Sequence, residues 1–200
     1  MLEKLFDPKS IAVIGASRQE GKVGHSILKN LLQYGYKGKI YPINPKADEI
    51  LGIRTYPTIF GVEEEIDLAV VAIPSQFVPS IINDCVKKRI ASVIIVSAGF
   101  KESGKQGSKL EKELVETVKV SSMRVLGPNC LGVIDTASSL NASFAAGMPS
   151  RGNIAFFSQS GALCTAILDW ALEEDVGFSK FISLGNKADI DEVDLLLALA

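Results

Sequence analysis

An uninterrupted apolar run, Ile11-Ala12-Val13-Ile14, that stops at Gly15 and gives way to a helical pattern is the feature that most narrows what this chain can become. A strand without polar alternation has to be covered on both faces, as happens in parallel sheets flanked by helices. The turn from Gly15 through Ser17, Arg18, Gln19, Glu20, Gly21 and Lys22 opens a helix expected over about 24–34. Free backbone N–H groups and the positive end of a helix dipole meet there, so the turn is expected to hold an anion.

Spacing narrows the anion. The dinucleotide fingerprint G-x-G-x-x-G is met only in part, because Ser17 stands at the second glycine position. The phosphate-loop pattern fails twice: five residues rather than the required four precede Gly21-Lys22, and Val23 has no hydroxyl for magnesium. An NAD site places a carboxylate about twenty residues past the glycines, yet the second strand ends in Asn44-Pro45-Lys46. Lys46 is either a solvated loop lysine or the partner of a phosphorylated ribose, and the second option leaves NADP or coenzyme A.

Strand and helix alternate along the chain, which makes it α/β. Further strands are expected over 39–43, 68–73, 92–96 and 124–126. An irregular connection is expected over 53–66, and helices over 105–120 and after Ser75, which is placed to cap. Residues 133–152 are dominated by Ser, Ala, Gly and Pro and read as a linker. It divides a first domain, 1–132, from a second, 153–200. The second domain holds strands over 153–157 and 180–184 and a helix over 162–174. Two parallel strands cannot bury both faces, so a fragment of a longer polypeptide is expected, rather than a segment docked on a partner chain.

Lysine and arginine total 21 against 23 aspartate and glutamate, a formal net charge of −2, so no global field recruits nucleic acid or an anionic membrane. Cys85, Cys130 and Cys164 lie far apart and the chain has one histidine, so no metal site is expected and the thiols point to a reducing cytoplasm. No stretch approaches ~18 apolar residues, and no leader pattern opens the chain.

In an open parallel sheet, ligands bind outside the carboxyl ends of the strands. Those ends carry Gly15 to Gly24, Asn44 to Lys46, Pro74-Ser75, Ser97-Ala98-Gly99 and Gly127-Pro128-Asn129-Cys130. They offer backbone donors, hydroxyls, an amide and a lysine, but no carboxylate pair and no histidine–carboxylate couple, which is an inventory for binding rather than catalysis. Ser158-Gln159-Ser160-Gly161 repeats the strand–turn–helix device and offers either a phosphate site or simple capping. His25 is expected at the surface or beside the ligand, and Cys130 as a packing or lining residue without a base. Asp189, Asp191, Glu192 and Asp194 are expected to cap the last helix.

Six ordered blocks spread over the whole chain resemble the nucleoside-diphosphate-forming acyl-CoA synthetases, the family of the ADP-forming acetyl-CoA and, more distantly, succinyl-CoA synthetase alpha subunits. They are Pro8 to Ser17, Gly21 to Gly24, Tyr41 to Lys46, Ser97 to Phe100, Gly127 to Gly132 and Phe157 to Gly161. The resemblance implies a Rossmann-like CoA-binding domain followed by the start of a flavodoxin-like ligase domain. It implies that Ser17, Arg18, Gln19 and Glu20 line the nucleotide end of coenzyme A and Lys46 meets its phosphate. Ser97, Ala98, Gly99 and Asn129 would line the pantetheine arm, with Gly15 and Cys130 also among the cofactor-binding positions. Ser158, Gln159, Ser160 and Gly161 would face a phosphohistidine.

Such enzymes interconvert a short organic acid, CoA and ATP with acyl-CoA, ADP and phosphate through an acyl phosphate and a phosphorylated histidine. That histidine is expected beyond Ala200, and His25 does not match it, so no catalytic residue is expected in this chain. ATP, ADP and Mg2+ are expected on a further part or on an ATP-binding beta subunit, in a hetero- or homo-oligomer. A non-catalytic CoA-binding or regulatory domain, or the synthetase-like part of a protein acyltransferase, is the alternative. An NADP-linked oxidoreductase fits less well, lacking the second glycine and a proton-transfer residue.

Overall fold

The structure, a computed structural model, describes residues 2–199. In chain order its elements are α1 (Glu3–Phe6), β1 (Ser10–Ile14), α2 (Val23–Gln33), β2 (Lys39–Ile43), β3 (Glu49–Ile50), β4 (Ile53–Arg54), β5 (Leu68–Val71), α3 (Val78–Lys87), β6 (Ser92–Ile95), α4 (Lys105–Lys119) and β7 (Arg124–Leu126). There follow β8 (Gly132–Asp135), β9 (Leu140–Ser143), β10 (Arg151–Ser158), α5 (Gly161–Glu173), β11 (Phe178–Ser183) and α6 (Glu192–Leu199).

β1 is buried at every position, and its side chains part by the two-residue strand period. Ile11 and Val13 join one core with Ile27, Leu28 and Leu31 of α2, while Ala12 and Ile14 join another with Ile82 of α3 and Leu114 of α4. Burying each large aliphatic side chain contributes about 1.5–3 kcal/mol, so covering both faces is what holds this parallel sheet. Its strand order is β2-β1-β5-β6-β7, all neighbours parallel. The order reverses between β1 and β5, a topological switch point where the chain leaves a crevice at the carboxyl edge.

Residues 133–152 depart from the expected linker. They supply β8 and β9, which pair antiparallel with each other, and β8 pairs antiparallel with β11. The second sheet therefore has four strands in the order β10-β11-β8-β9, not two. Asp135 makes the hairpin possible: its carboxylate accepts from the amides of Ala137 and Ser138 at 2.9 and 3.3 Å and meets Lys180 Nζ at 2.8 Å. The two sheets share a core, since Val133, Leu140 and Ile182 pack in the same cluster as Ile11 and Leu28. A third cluster, with Phe178, Phe181, Cys164 and Leu168, lies under α5.

Ser75 does not cap α3. A 3-10 turn over Ser75–Phe77 precedes the helix, and the cap position at Phe77 makes no side-chain bond. No described helix is long and apolar enough to cross a membrane.

Candidate functional site

All five strand ends of the first sheet open onto one cavity of about 1020 Å³. Of the residues singled out from sequence, Gly15, Ser17, Lys46, Ser97, Ala98, Asn129 and Cys130 line it, and so do Gln159 and Gly161. The α5 turn and the first-sheet crevice are thus one site. Arg18, Gln19, Glu20, Gly99, Ser158 and Ser160 are not among the lining residues. Lys22, within the Gly15–Gly24 stretch expected at the crevice, lines the cavity although the phosphate-loop pattern fails there; sequence reasoning missed Phe144 and Thr165 because neither belongs to a motif.

The glycine turn is tight for a local reason. Gly15 sits at φ +89, and a Cβ there would collide with the Ala72 carbonyl across the switch point. A Cβ on Gly24 would collide with the Gly15 carbonyl, so glycine at both positions lets α2 begin against the turn. His25 is not at the surface. It is 5% exposed, and its Nδ1 lies 2.9 Å from the Ser17 carbonyl, which can only accept, so the ring donates there and pins the turn to the helix.

Several groups expected to face a ligand are already paired. The Ser17 hydroxyl accepts from the Gln19 amide at 3.0 Å, and the Ser97 hydroxyl accepts from the Ile73 amide at 3.1 Å. Asn44 donates to the Ala16 carbonyl at 2.7 Å and accepts from the Lys46 amide at 2.7 Å, which fixes where Lys46 stands. Arg18 donates to the Lys46 carbonyl at 3.3 Å. What the cavity retains is two ammonium groups, Lys22 and Lys46, the first turn of α2, and no carboxylate among its lining residues. That is a field for a polyanion. A smaller, mostly apolar cavity of about 340 Å³ opens alongside, sharing Gly15, Asn44, Lys46 and Ile73 and walled by Ile43, Pro57, Ile59 and Ile81.

The far end of the cavity is built by both sheets. Cys130 is 4% exposed, donates to the Ile95 carbonyl at 3.3 Å, and burial pushes its thiol up to about 12, so it lines rather than attacks. Ser160 caps α5 by accepting from the Leu163 amide at 3.2 Å, the simpler of the two roles its sequence allowed. Gln159 donates to Glu192 at 3.0 Å. The acidic cluster divides: Asp191 caps α6 through the Val193 and Asp194 amides at 2.9 and 3.1 Å, whereas Asp189 and Asp194 take the Arg124 guanidinium at 3.0 and 2.8 Å.

Asn186, in the loop after β11, ties the second sheet to the cavity wall. Its Nδ2 donates to Glu102 at 2.6 Å and Glu111 at 2.8 Å, and its Oδ1 accepts from Asn129 at 3.3 Å. Glu102 also accepts from the amides of Gly99 and Phe100 at 2.6 and 3.0 Å, so the Gly99 amide is spent on a carboxylate. Burial opposes ionisation of Glu102, but the bonds from Asn186, Gly99 and Phe100 outweigh it and hold its pKa below the ordinary value. Stability from this junction is complete above the unfolded-state pKa and is lost as pH falls through the lower folded value. Urea midpoints measured from neutral to acidic pH should therefore drop more steeply for the wild type than for Glu102→Gln; parallel curves would contradict the linkage.

Comparison with known proteins places residues 9–136 in the family described as CoA binding domain and residues 151–200 in that described as succinyl-CoA ligase like flavodoxin domain. The acetate–CoA ligase [ADP-forming] I of Archaeoglobus fulgidus is 49% identical over 199 residues, covering 100% of this chain and 29% of that protein. Subunit alpha of the corresponding ligase I of Pyrococcus furiosus is 47% identical, over 98% of this chain and 43% of the subunit. The solved dinucleotide forming acetyl-coenzyme A synthetase 1 of Ca. Korarchaeum cryptofilum, in complex with phosphate and ADP, superposes with a TM-score of 0.96 at 46% identity, over 100% of this chain and 42% of that one. The chain spans less than half the length of these relatives.

Proposed function

Since this chain belongs to the CoA binding domain family, we propose that it holds coenzyme A across the carboxyl edge of its first sheet, as the CoA-binding part of an ADP-forming acyl-CoA synthetase. The observation that carries this is the pairing of Lys22 and Lys46 with the open start of α2 in a cavity that no carboxylate lines. The pyrophosphate lies at the α2 turn, the ribose phosphate meets Lys46, and the adenine fits the small apolar cavity beside it. With strands about 4.8 Å apart, the sheet from β2 to β7 is about 19 Å across, which suits an extended arm leading from the charged end to Asn129 and Cys130.

In the whole enzyme a short organic acid, CoA and ATP are interconverted with acyl-CoA, ADP and phosphate, through an acyl phosphate and a phosphohistidine. The chain's one histidine is His25, and it is spent on the Ser17 carbonyl. The phosphoryl-carrying histidine, the ATP site and Mg2+ accordingly come from outside these residues, from a further domain or an ATP-binding beta subunit. The three cysteines are free and buried, in keeping with a reducing cytoplasm.

Calorimetric titration with coenzyme A, dephospho-CoA and NADP tests the assignment. Coenzyme A should bind most tightly. A charge-assisted hydrogen bond is worth about 1.5–3 kcal/mol, so Lys46→Ala should weaken coenzyme A about tenfold or more and leave dephospho-CoA unchanged. Preference for NADP, or a Lys46→Ala variant that loses both coenzymes equally, would count against it.

A further inference from the structure

Phe144 follows β9, in a segment whose composition reads as a linker, and its ring is 37% exposed while it lines the main cavity. Its backbone is held unusually firmly. Asn30 of α2, 6% exposed, donates both hydrogens of Nδ2 to the carbonyls on either side, Ser143 at 2.8 Å and Ala145 at 2.9 Å. The Phe144 amide donates to the Leu131 carbonyl at 3.3 Å, just before β8. The Ser143 hydroxyl donates to Asn141 at 2.6 Å and accepts from the Ala145 amide at 3.2 Å, while Asn141 donates to the Gly147 carbonyl at 3.0 Å. Asn141 and Ser143 are 0% and 1% exposed.

Burying polar groups costs free energy unless each is paired, and a fully paired network specifies one local structure. Here such a network fixes the chain around an aromatic side chain that the core does not take up. A side chain on backbone fixed before binding has less entropy to lose when a ligand arrives. Phe144 also bonds to Leu131, the residue after Cys130, where the coenzyme A assignment puts the end of the arm.

We propose that Phe144 is a specificity-determining residue that packs on the neutral pantetheine arm of coenzyme A, with Asn30 as its positioning residue; this rests on the coenzyme A assignment above. Adenosine 3′,5′-bisphosphate carries the nucleotide end without the arm and separates the two claims. Titrated against both ligands, Phe144→Ala should bind coenzyme A about tenfold more weakly, as expected for loss of a ring contact, and the bisphosphate as the wild type does. Phe144→Leu, which keeps an apolar side chain, should recover most of the coenzyme A affinity. Unchanged coenzyme A affinity in Phe144→Ala, or an equal loss for both ligands, overturns the proposal. A wild-type protein that binds neither ligand would instead refute the coenzyme A assignment, and this one with it.

Discussion

Replacing Gly15 with alanine should destabilise the protein by about 2–5 kcal/mol and abolish coenzyme A binding, because two penalties act together: left-handed backbone costs a side-chain-bearing residue about 1–2 kcal/mol and a wedged methyl about 1–3 kcal/mol. Gly15 stands at φ +89, with the Ala72 carbonyl and Ile73 Cγ2 where a Cβ would go. The turn cannot yield without moving β1 away from β5 at the switch point. Gly21, at φ +79 with nothing within 4 Å of a built Cβ, supplies the control. Gly21→Ala carries the backbone penalty alone, about 1–2 kcal/mol. Urea unfolding of the two variants should show the difference, and equal losses would mean that the close approach to Ala72 is not what demands glycine.

Asn30→Leu should be the other large effect. The variant is close in size and apolar, but it leaves the Ser143 and Ala145 carbonyls buried without their donor. An unsatisfied buried polar group costs about 1–3 kcal/mol, so a loss of about 2–6 kcal/mol is expected for the pair. Since α2 also opens at the anion site, the substitution separates two ends of one helix: the Val23 end stays and the contact with the second sheet goes. Thermal unfolding should show the loss, and binding of adenosine 3′,5′-bisphosphate should survive under conditions where the variant is folded. A variant as stable as the wild type would show that water satisfies those carbonyls.

Much of the site was legible because its determinants are local. The apolar run at Ile11–Ile14 announced a strand covered on both sides and Gly15 a turn into a helix, while the structure adds that Gly15 and Gly24 are pressed against neighbouring backbone. The rule that ligands gather at the carboxyl ends of parallel strands then brought five separated segments to one crevice, where the structure has a cavity of about 1020 Å³. Side-chain types alone did not reveal availability. Ser17, Ser97 and Ser160 are hydroxyls at the right places, yet each accepts from a nearby backbone amide, and the Gly99 amide is taken by Glu102.

Sequence by itself determined the alternation of strand and helix, the glycine turn and the cation that follows β2, since periodicity, backbone freedom and charge are properties of a few neighbouring residues. Only the tertiary structure decided that Gly132–Asp135 and Leu140–Ser143 are strands, because these short runs gain their backbone partners from α2 and from β11, far from them in the chain. The same long-range pairing carries Phe144 into the cavity and joins the two sheets through one core. A hydrogen bond across more than a hundred residues, such as Asn30 to Ser143, exists only once packing has excluded water from both ends.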